Sequence, residues 1–367
     1  MTQMLTRLYI DNYRCFVNLE YKPARRQLIF GGNGTGKSSL MDALLFVRQF
    51  VAKGDVLDDI FVLSQRTRWL SQPQQVWELE AALDGAKYVY RLVTEPWGEP
   101  QQAQVATETL HFDGKSIFEF TSGEVQLYDD RFERKVAYAL DRHRSGLATI
   151  PSGRDTRRLS RFKEWIGGLF CFRLNPFAMA SRAEGEHLFP ALDLSTFASW
   201  YRHLFQAHPK QNAAMLESLR ASLDDFSYLE FEPFGENVRL LCAEFGKSTK
   251  FYFNELSEGQ RCLICLYTIL HFLLAKGNTV ILDEPDNFLA LREIQPWLMA
   301  VTDTVEEAKG QILIISHHPE ILNQWAPGNG VQFVREGVGP VRVVDFCGDP
   351  ESPLTPSELV ARGWERE

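Results

Sequence analysis

An α/β fold with a mostly parallel core sheet, an antiparallel β subdomain and a helical lobe is predicted by three features of this 367-residue sequence. Near its start, the apolar run QLIF (27–30) enters a glycine-rich loop and then a stretch with helical spacing. Towards its end, apolar strand and helix patterns alternate, which implies a parallel sheet covered on both faces. Between these ends lie alternating segments broken by turn residues, followed by a long helical stretch.

Length and composition support an ordinary globular protein. The chain can bury one large core or two moderate ones. Its 45% hydrophobic and 24% charged residues fit neither a disordered chain nor a disulfide scaffold. The opening MTQMLTRLYIDNYRCF has no cationic stretch followed by an apolar core, so no secretory signal is expected. No segment reaches the roughly 18 apolar residues a spanning helix needs. Six scattered cysteines, at 15, 171, 242, 262, 265 and 347, are expected to be cytoplasmic thiols. A net charge of −9 argues against a surface that binds nucleic acid everywhere. A local basic segment remains: Arg142, Arg144, Arg154, Arg157, Arg158, Arg161 and Lys163, opposed within the segment by Asp155 alone. DNA or a partner protein could meet it, most directly at Arg154, Arg157, Arg158 and Arg161. A solvated charged face is the bland alternative.

In chain order, LTRLYIDNYRCF alternates as a first strand, and SSLMDALLFVRQFVA has the spacing of a helix. VWELEAAL, KYVYRLVT, ETLHFD and SIFEFTS alternate between the turns DG, EPWGEP and DGK, as in a small antiparallel sheet. STFASWYRHLFQAH and KQNAAMLESLRASLDDF read as helices, YLEFEPF, VRLLCAEF and KFYFNEL as strands. RCLICLYTILHFLLA (helix), NTVILDE (strand), REIQPWLMAVTDTVEEA (helix) and QILIISHH (strand) then complete the core. The expected divisions are 1–75, the first half of the core with its loop; 76–130, the antiparallel subdomain; 131–245, a mainly helical lobe; 246–345, the second half of the core; and 346–367, a tail with one short helix. The two ends must meet in one sheet.

Gly31 to Ser38 matches G-x-x-x-x-G-K-[ST]. Amides of Gly31, Gly32, Asn33, Gly34, Thr35, Gly36, Lys37, Ser38 and Ser39 can converge on phosphate oxygens, aided by the positive end of the following helix. Lys37 would reach the β- and γ-phosphates of ATP and Ser38 would ligate Mg²⁺. A glycine turn with a chance lysine would not need the strand before it and the helix after. TVILDEP (279–285) is a buried strand ending in two acids, delivered to the carboxyl edge where ligands sit. Asp283 suits the Mg²⁺ water shell, and Glu284 suits polarisation of an attacking water.

NELSEGQR (254–261) resembles the ABC-type signature, with Ser257, Glu258, Gly259 and Gln260 opening a helix. An ordinary capping box, Ser257 with Gln260, would explain two of these residues. It would not explain Gly259. ILIISHHPEIL (312–322) ends a strand in Ser316 and His317, and resembles the switch-histidine element. The family order of threonine or serine, histidine, one residue, proline selects His317 over His318. Ser257 lies 26 positions before Asp283, and His317 lies 34 after it, in the family's order.

The long interval between Lys37 and Ser257, the I-D-N-Y-R-C-F start and S-H-H-P-E-I-L resemble the RecF, SMC and OLD-type group, closest to compact RecF-like bacterial ATPases of the AAA family. The resemblance implies an ABC-type ATPase head that hydrolyses ATP and closes head to tail as an ATP-dependent homodimer. Ser257 to Gln260 would then cap the nucleotide of the partner. It further implies that Arg14 approaches the nucleotide, and that Asp286 and Asn287 face the partner. It suggests a role in DNA repair or phage defence with a separate effector, a nuclease or toxin. About 50 residues follow His317, too few for the TOPRIM nuclease domain of OLD proteins. A slow-hydrolysing ATP-gated scaffold is the alternative role. A transporter ATPase subunit fits the motifs but not the long insertion. PDNFLAL replaces the usual run after the acidic pair, the sequence does not place the glutamine loop, for which Gln65 and Gln72 are candidates, and Cys262 with Cys265 lacks the second pair a zinc site would need.

Overall fold

The computed structural model describes residues 3–60, 63–98, 102–348 and 353–363. The expected turn residues 99–100, and 349–352 and 364–367 of the expected tail, lie outside them. The chain divides into two compact units, residues 1–170 with 328–347, and residues 171–327 with 348–367.

The first unit carries an eight-stranded antiparallel sheet and the phosphate-loop strand. In chain order the strands are β1 (Gln3–Asp11), β2 (Leu19–Tyr21), β3 (Arg26–Phe30), β4 (Gln75–Leu83), β5 (Ala86–Trp97), β6 (Gln102–Phe112), β7 (Lys115–Thr121), β8 (Glu124–Tyr128) and β9 (Arg134–Ala139). The large sheet has the order β2-β1-β4-β5-β6-β7-β8-β9. It is therefore larger than the subdomain expected at 76–130. It takes in the first strand, which pairs with β4 from Gln3 opposite Leu83 to Asp11 opposite Val76. At its other edge it runs to Ala139, because β9 pairs with β8. β9 is almost wholly exposed and carries Arg134 and Lys135. Charged edge strands lack the alternation that marks a half-buried one, so this strand reads as part of the next segment.

β3 is a different case. It pairs in parallel with strand Gly330–Arg335, Leu28 opposite Gly330 and Phe30 opposite Gln332. Strand Val341–Asp345 adds to the latter antiparallel. The two ends of the chain thus meet, as the strand patterns required. The phosphate-loop helix, Lys37–Arg48, buries Leu40, Met41, Leu44 and Val47. It packs on the antiparallel sheet through Phe46, whose ring lies 4.9 Å from that of Trp77. Helix Arg157–Gly167 covers the same sheet with Phe162, 5.6 Å from Tyr90.

In the second unit, strands Thr279–Asp283 and Gln311–Ile315 are parallel, with Asp283 opposite Ile315. Every residue of both is buried. Helix Leu291–Ala308 links them. Helix Glu258–Phe272 is apolar nearly all round and correspondingly buried. Helix Pro209–Ser222 lies against it, with Ser222 and Tyr267 hydroxyls 2.6 Å apart. The expected helical lobe supplies this helix and Phe197–Ala207. Strands Phe226–Phe234 and Val238–Phe245 fall where alternation predicted them and form a small antiparallel sheet with Thr249–Tyr252. The tail's short helix is Pro356–Arg362, capped by Thr355.

Candidate nucleotide-binding site

The phosphate loop has its binding shape built in. Gly31 has φ 137°, and a Cβ there would stand 2.3 Å from the carbonyl oxygen of Phe333. Gly36 has φ 94°, and a Cβ would stand 2.8 Å from both Cys15 Sγ and the Phe16 ring. The first glycine lets the neighbouring strand close on the loop; the second lets the helix begin over Cys15 and Phe16, in the turn between β1 and β2. Thr35 Oγ1 donates to Gly32 O at 2.8 Å and tightens the turn. The Lys37 side chain is folded back, its ammonium donating to the carbonyls of Gly31 and Gly32. Gly32, Asn33, Gly34 and Ser38 are exposed. Arg335 Nη1 reaches the Gly34 carbonyl at 3.2 Å, and its guanidinium lies 5.4 Å from the Trp69 ring. No motif marks either residue in the sequence.

Arg14 is at φ 51° and donates to Ser39 Oγ at 3.3 Å. It also forms an ion pair with Asp42. The resemblance brought it towards the nucleotide; the structure puts it at the first turn of the phosphate-loop helix with its charge held by Asp42. Its backbone N–H donates to Gln65 O at 2.6 Å, whereas the Gln72 amide donates to Asp11 at 3.1 Å. Gln65 is accordingly the glutamine beside Arg14.

In the second unit the acidic pair diverges in environment. Asp283, with a side chain 5% exposed, accepts from Arg173 Nε at 2.9 Å and Nη2 at 2.7 Å, both at Oδ2. Glu284 is exposed and lies at φ 49°. Asn287 Nδ2 donates to Glu284 Oε2 at 2.9 Å. Arg173 was not anticipated, although it directly follows the apolar strand Leu169–Phe172, LFCF, at its carboxyl end. Asp286 departs from the expectation that it faces a partner. It is 8% exposed, and burial raises its carboxyl above the ordinary range despite a hydrogen bond from Ser316. It braces the loop from within; Asn287 and Glu284 are the exposed groups.

The two histidines separate cleanly. His318 Nδ1 accepts the Glu320 N–H at 3.2 Å and so caps helix Pro319–Asn329. His317 is exposed, two residues beyond the end of strand Gln311–Ile315.

Ser257 is the exposed N-cap of helix Glu258–Phe272. Its Oγ accepts the Gln260 N–H at 3.2 Å, and Gln260 Oε1 accepts the Ser257 N–H at 3.1 Å. The hydroxyl proton remains for another acceptor, and the helix dipole favours an anion there. Gly259 has an explanation that capping did not offer. A Cβ would stand 2.7 Å from the carbonyl oxygen of Phe288, so the helix start presses on the loop after the acidic pair.

The basic segment is mostly spent within the first unit. The opposing charge is not Asp155 alone: the sheet brings in Asp84, Asp130 and Glu95. Arg161 pairs with Asp84 at 2.7 Å, and Arg142 with Glu95 at 2.7 Å. Arg158 donates to Asp130 O and lies 4.3 Å from the Phe112 ring and 4.5 Å from that of Phe132. Lys163 donates to Ala148 and Ile150 carbonyls, and burial lowers its pKa. Arg154 and Arg157 line a cleft shared with Asp130, Glu133 and Lys135. Cys262 and Cys265 are fully buried; burial pushes the Cys262 thiol up to about 12. Among the described residues, no cluster of three or more His, Cys, Asp or Glu could hold a metal. Nor is any described helix long and apolar enough to cross a membrane.

Ser38 and Asp283 offer a hydroxyl and a carboxylate, hard oxygen donors of the kind Mg²⁺ takes alongside phosphate and water. Solved structures agree on the class of fold. An SMC head bound to the C-terminal winged-helix domain of ScpA is similar, with 13% identity, a TM-score of 0.57, and 93% of this chain and 97% of that chain covered. A Pyrococcus furiosus Smc head with an extended coiled coil, bound to the C-terminal domain of ScpA, gives 11% identity, a TM-score of 0.54 and 99% coverage of both chains. The fold is that of an ABC-type P-loop ATPase head. Residues 28–323, well over half of the chain, match the family described as "AAA domain, putative AbiEii toxin, Type IV TA system". The chain belongs to that family and is an ATPase. No curated protein sequence matches it.

Proposed function

We propose that the protein binds Mg·ATP, dimerises head to tail upon it, and uses hydrolysis to reopen. The loop from Gly31 to Ser39 holds the phosphates, with Lys37 turning from its own loop carbonyls to the β- and γ-phosphates. Ser38 and Asp283 hold Mg²⁺. Glu284 orients water, kept in place by Asn287, and His317 contacts the γ-phosphate. Ser257 and the amides of Glu258 and Gly259 close the site of the partner. The observation that carries this reading is the exposed start of helix Glu258–Phe272, with a serine whose proton is unspent.

The family description supports a defence role in which a toxin or its antidote is the partner. In the similar SMC structures the heads are bound to domains of ScpA, and a protein partner for this ATPase is the corresponding proposal. We place the pair in the cytoplasm, with DNA contact restricted to Arg154 and Arg157. The test is complementation. Lys37→Ala and Ser257→Arg each abolish turnover alone; mixed in equal amounts, about half of the dimers are mixed and one of their two sites is whole, so about a quarter of wild-type activity should return. Two inactive proteins that stay inactive when mixed contradict sharing of the site.

A further inference from the structure

We infer that Arg173 guards the metal carboxylate: its guanidinium occupies Asp283 until Mg²⁺ arrives and sets the metal concentration at which the site loads. This rests on the assignment of Asp283 to the metal. Two N–H groups of Arg173 converge on one oxygen, Oδ2, at 2.9 Å and 2.7 Å. A cation or its bound water seeking that oxygen must displace them. The carboxylate cannot turn to water instead, since its side chain is 5% exposed. The arginine can. Its side chain is 49% exposed, and its backbone is anchored separately by an N–H donated to Leu192 O at 2.9 Å. The guanidinium can therefore swing into solvent without moving the strand that carries it.

The pairing also explains how a buried carboxylate is tolerated before metal binds, because an unpartnered buried charge is costly. Half of the pair is in solvent, so the competition is modest, about five-fold in metal concentration. Arg173 is thus a positioning residue, acting on the metal through Asp283.

The experiment is equilibrium binding of a fluorescent ATP analogue to the full chain, with Mg²⁺ titrated, for wild type, Arg173→Gln and Arg173→Lys. Arg173→Gln should lower the Mg²⁺ midpoint about five-fold while leaving metal-free nucleotide affinity unchanged. Arg173→Lys, which can present one N–H where arginine presents two, should fall between. Structural damage raises a midpoint, so a lowered one reports competition. Wild-type loading with an equal or higher midpoint in both variants overturns the inference and leaves the ATP site standing. A wild type that binds nucleotide with no dependence on Mg²⁺ overturns the metal role of Asp283, and the inference with it.

Discussion

The side-chain amide of Asn287 donates to Glu284 Oε2 at 2.9 Å, and Glu284 itself sits at φ 49°. The carboxylate is thus presented from a left-handed backbone position and steered by a neighbour three residues on, as the proposed water-orienting role requires. Glu284→Gln should keep Mg·ATP binding and lower turnover by roughly 10²–10⁴-fold, the usual contribution of a positioned general base. Asn287→Ala should cost less, about ten-fold, with nucleotide affinity unchanged. Steady-state turnover and equilibrium nucleotide binding, compared for the two variants, decide the point. Equal turnover in wild type and Glu284→Gln removes that residue from the role.

Gly259 and Ser257 make opposite demands on the same helix start. Gly259→Ala places a methyl 2.7 Å from Phe288 O. It should destabilise the chain by roughly 1–3 kcal/mol, as overpacking does. Ser257→Ala removes a cap worth about 1 kcal/mol and should impair hydrolysis while the monomer still binds nucleotide. Thermal melting beside nucleotide binding tells the two effects apart.

The phosphate-loop strand and helix, the acidic strand end and the capped start of helix Glu258–Phe272 were legible because each is a local spacing of residue types. Other features depend on pairing across the sequence. β1 reads as a strand but not as a member of the antiparallel sheet, since its partner β4 begins more than sixty residues later. β9 has no apolar face to reveal it. Arg173 meets Asp283 from 110 positions away, and Arg335 meets Gly34 from 301. The inward turn of Asp286 goes with its hydrogen bond from Ser316, just after strand Gln311–Ile315, which no pattern within PDNFLAL encodes.

Glu108 supplies a pH dependence. It is wholly buried on β6 and accepts from Ser145 Oγ at 2.6 Å, Tyr90 OH at 2.9 Å and the Gly146 N–H at 2.8 Å. Burial dominates these bonds and raises its pKa to about 7. The unfolded chain holds this proton only below about 4.3. The folded state therefore binds more protons between those values. This contribution to stability is complete below the unfolded pKa and is lost as pH rises through about 7. Glu108→Gln should flatten the fall, by at most about 1.4 kcal/mol per pH unit in that window. Melting temperatures of both proteins across the window test it, and parallel curves would contradict it.

Neighbouring arginines of the basic segment should behave differently. Arg158 is packed against Phe112 and Phe132, so Arg158→Glu should lower the melting temperature. Arg154→Glu with Arg157→Glu should leave melting unchanged. It should reduce the slope of log DNA affinity against log salt by about two, the contribution of two phosphate contacts. DNA affinity that ignores the double change removes this cleft from the proposed DNA contact.

The central claim, that nucleotide is shared between two copies, is tested most directly by sedimentation of the Glu284→Gln protein. With Mg·ATP it should sediment as a dimer, with ADP as a monomer, and the dimer should vanish when Ser257→Arg is added to the same chain. One sedimenting species, identical with ATP, with ADP and without nucleotide, contradicts the account.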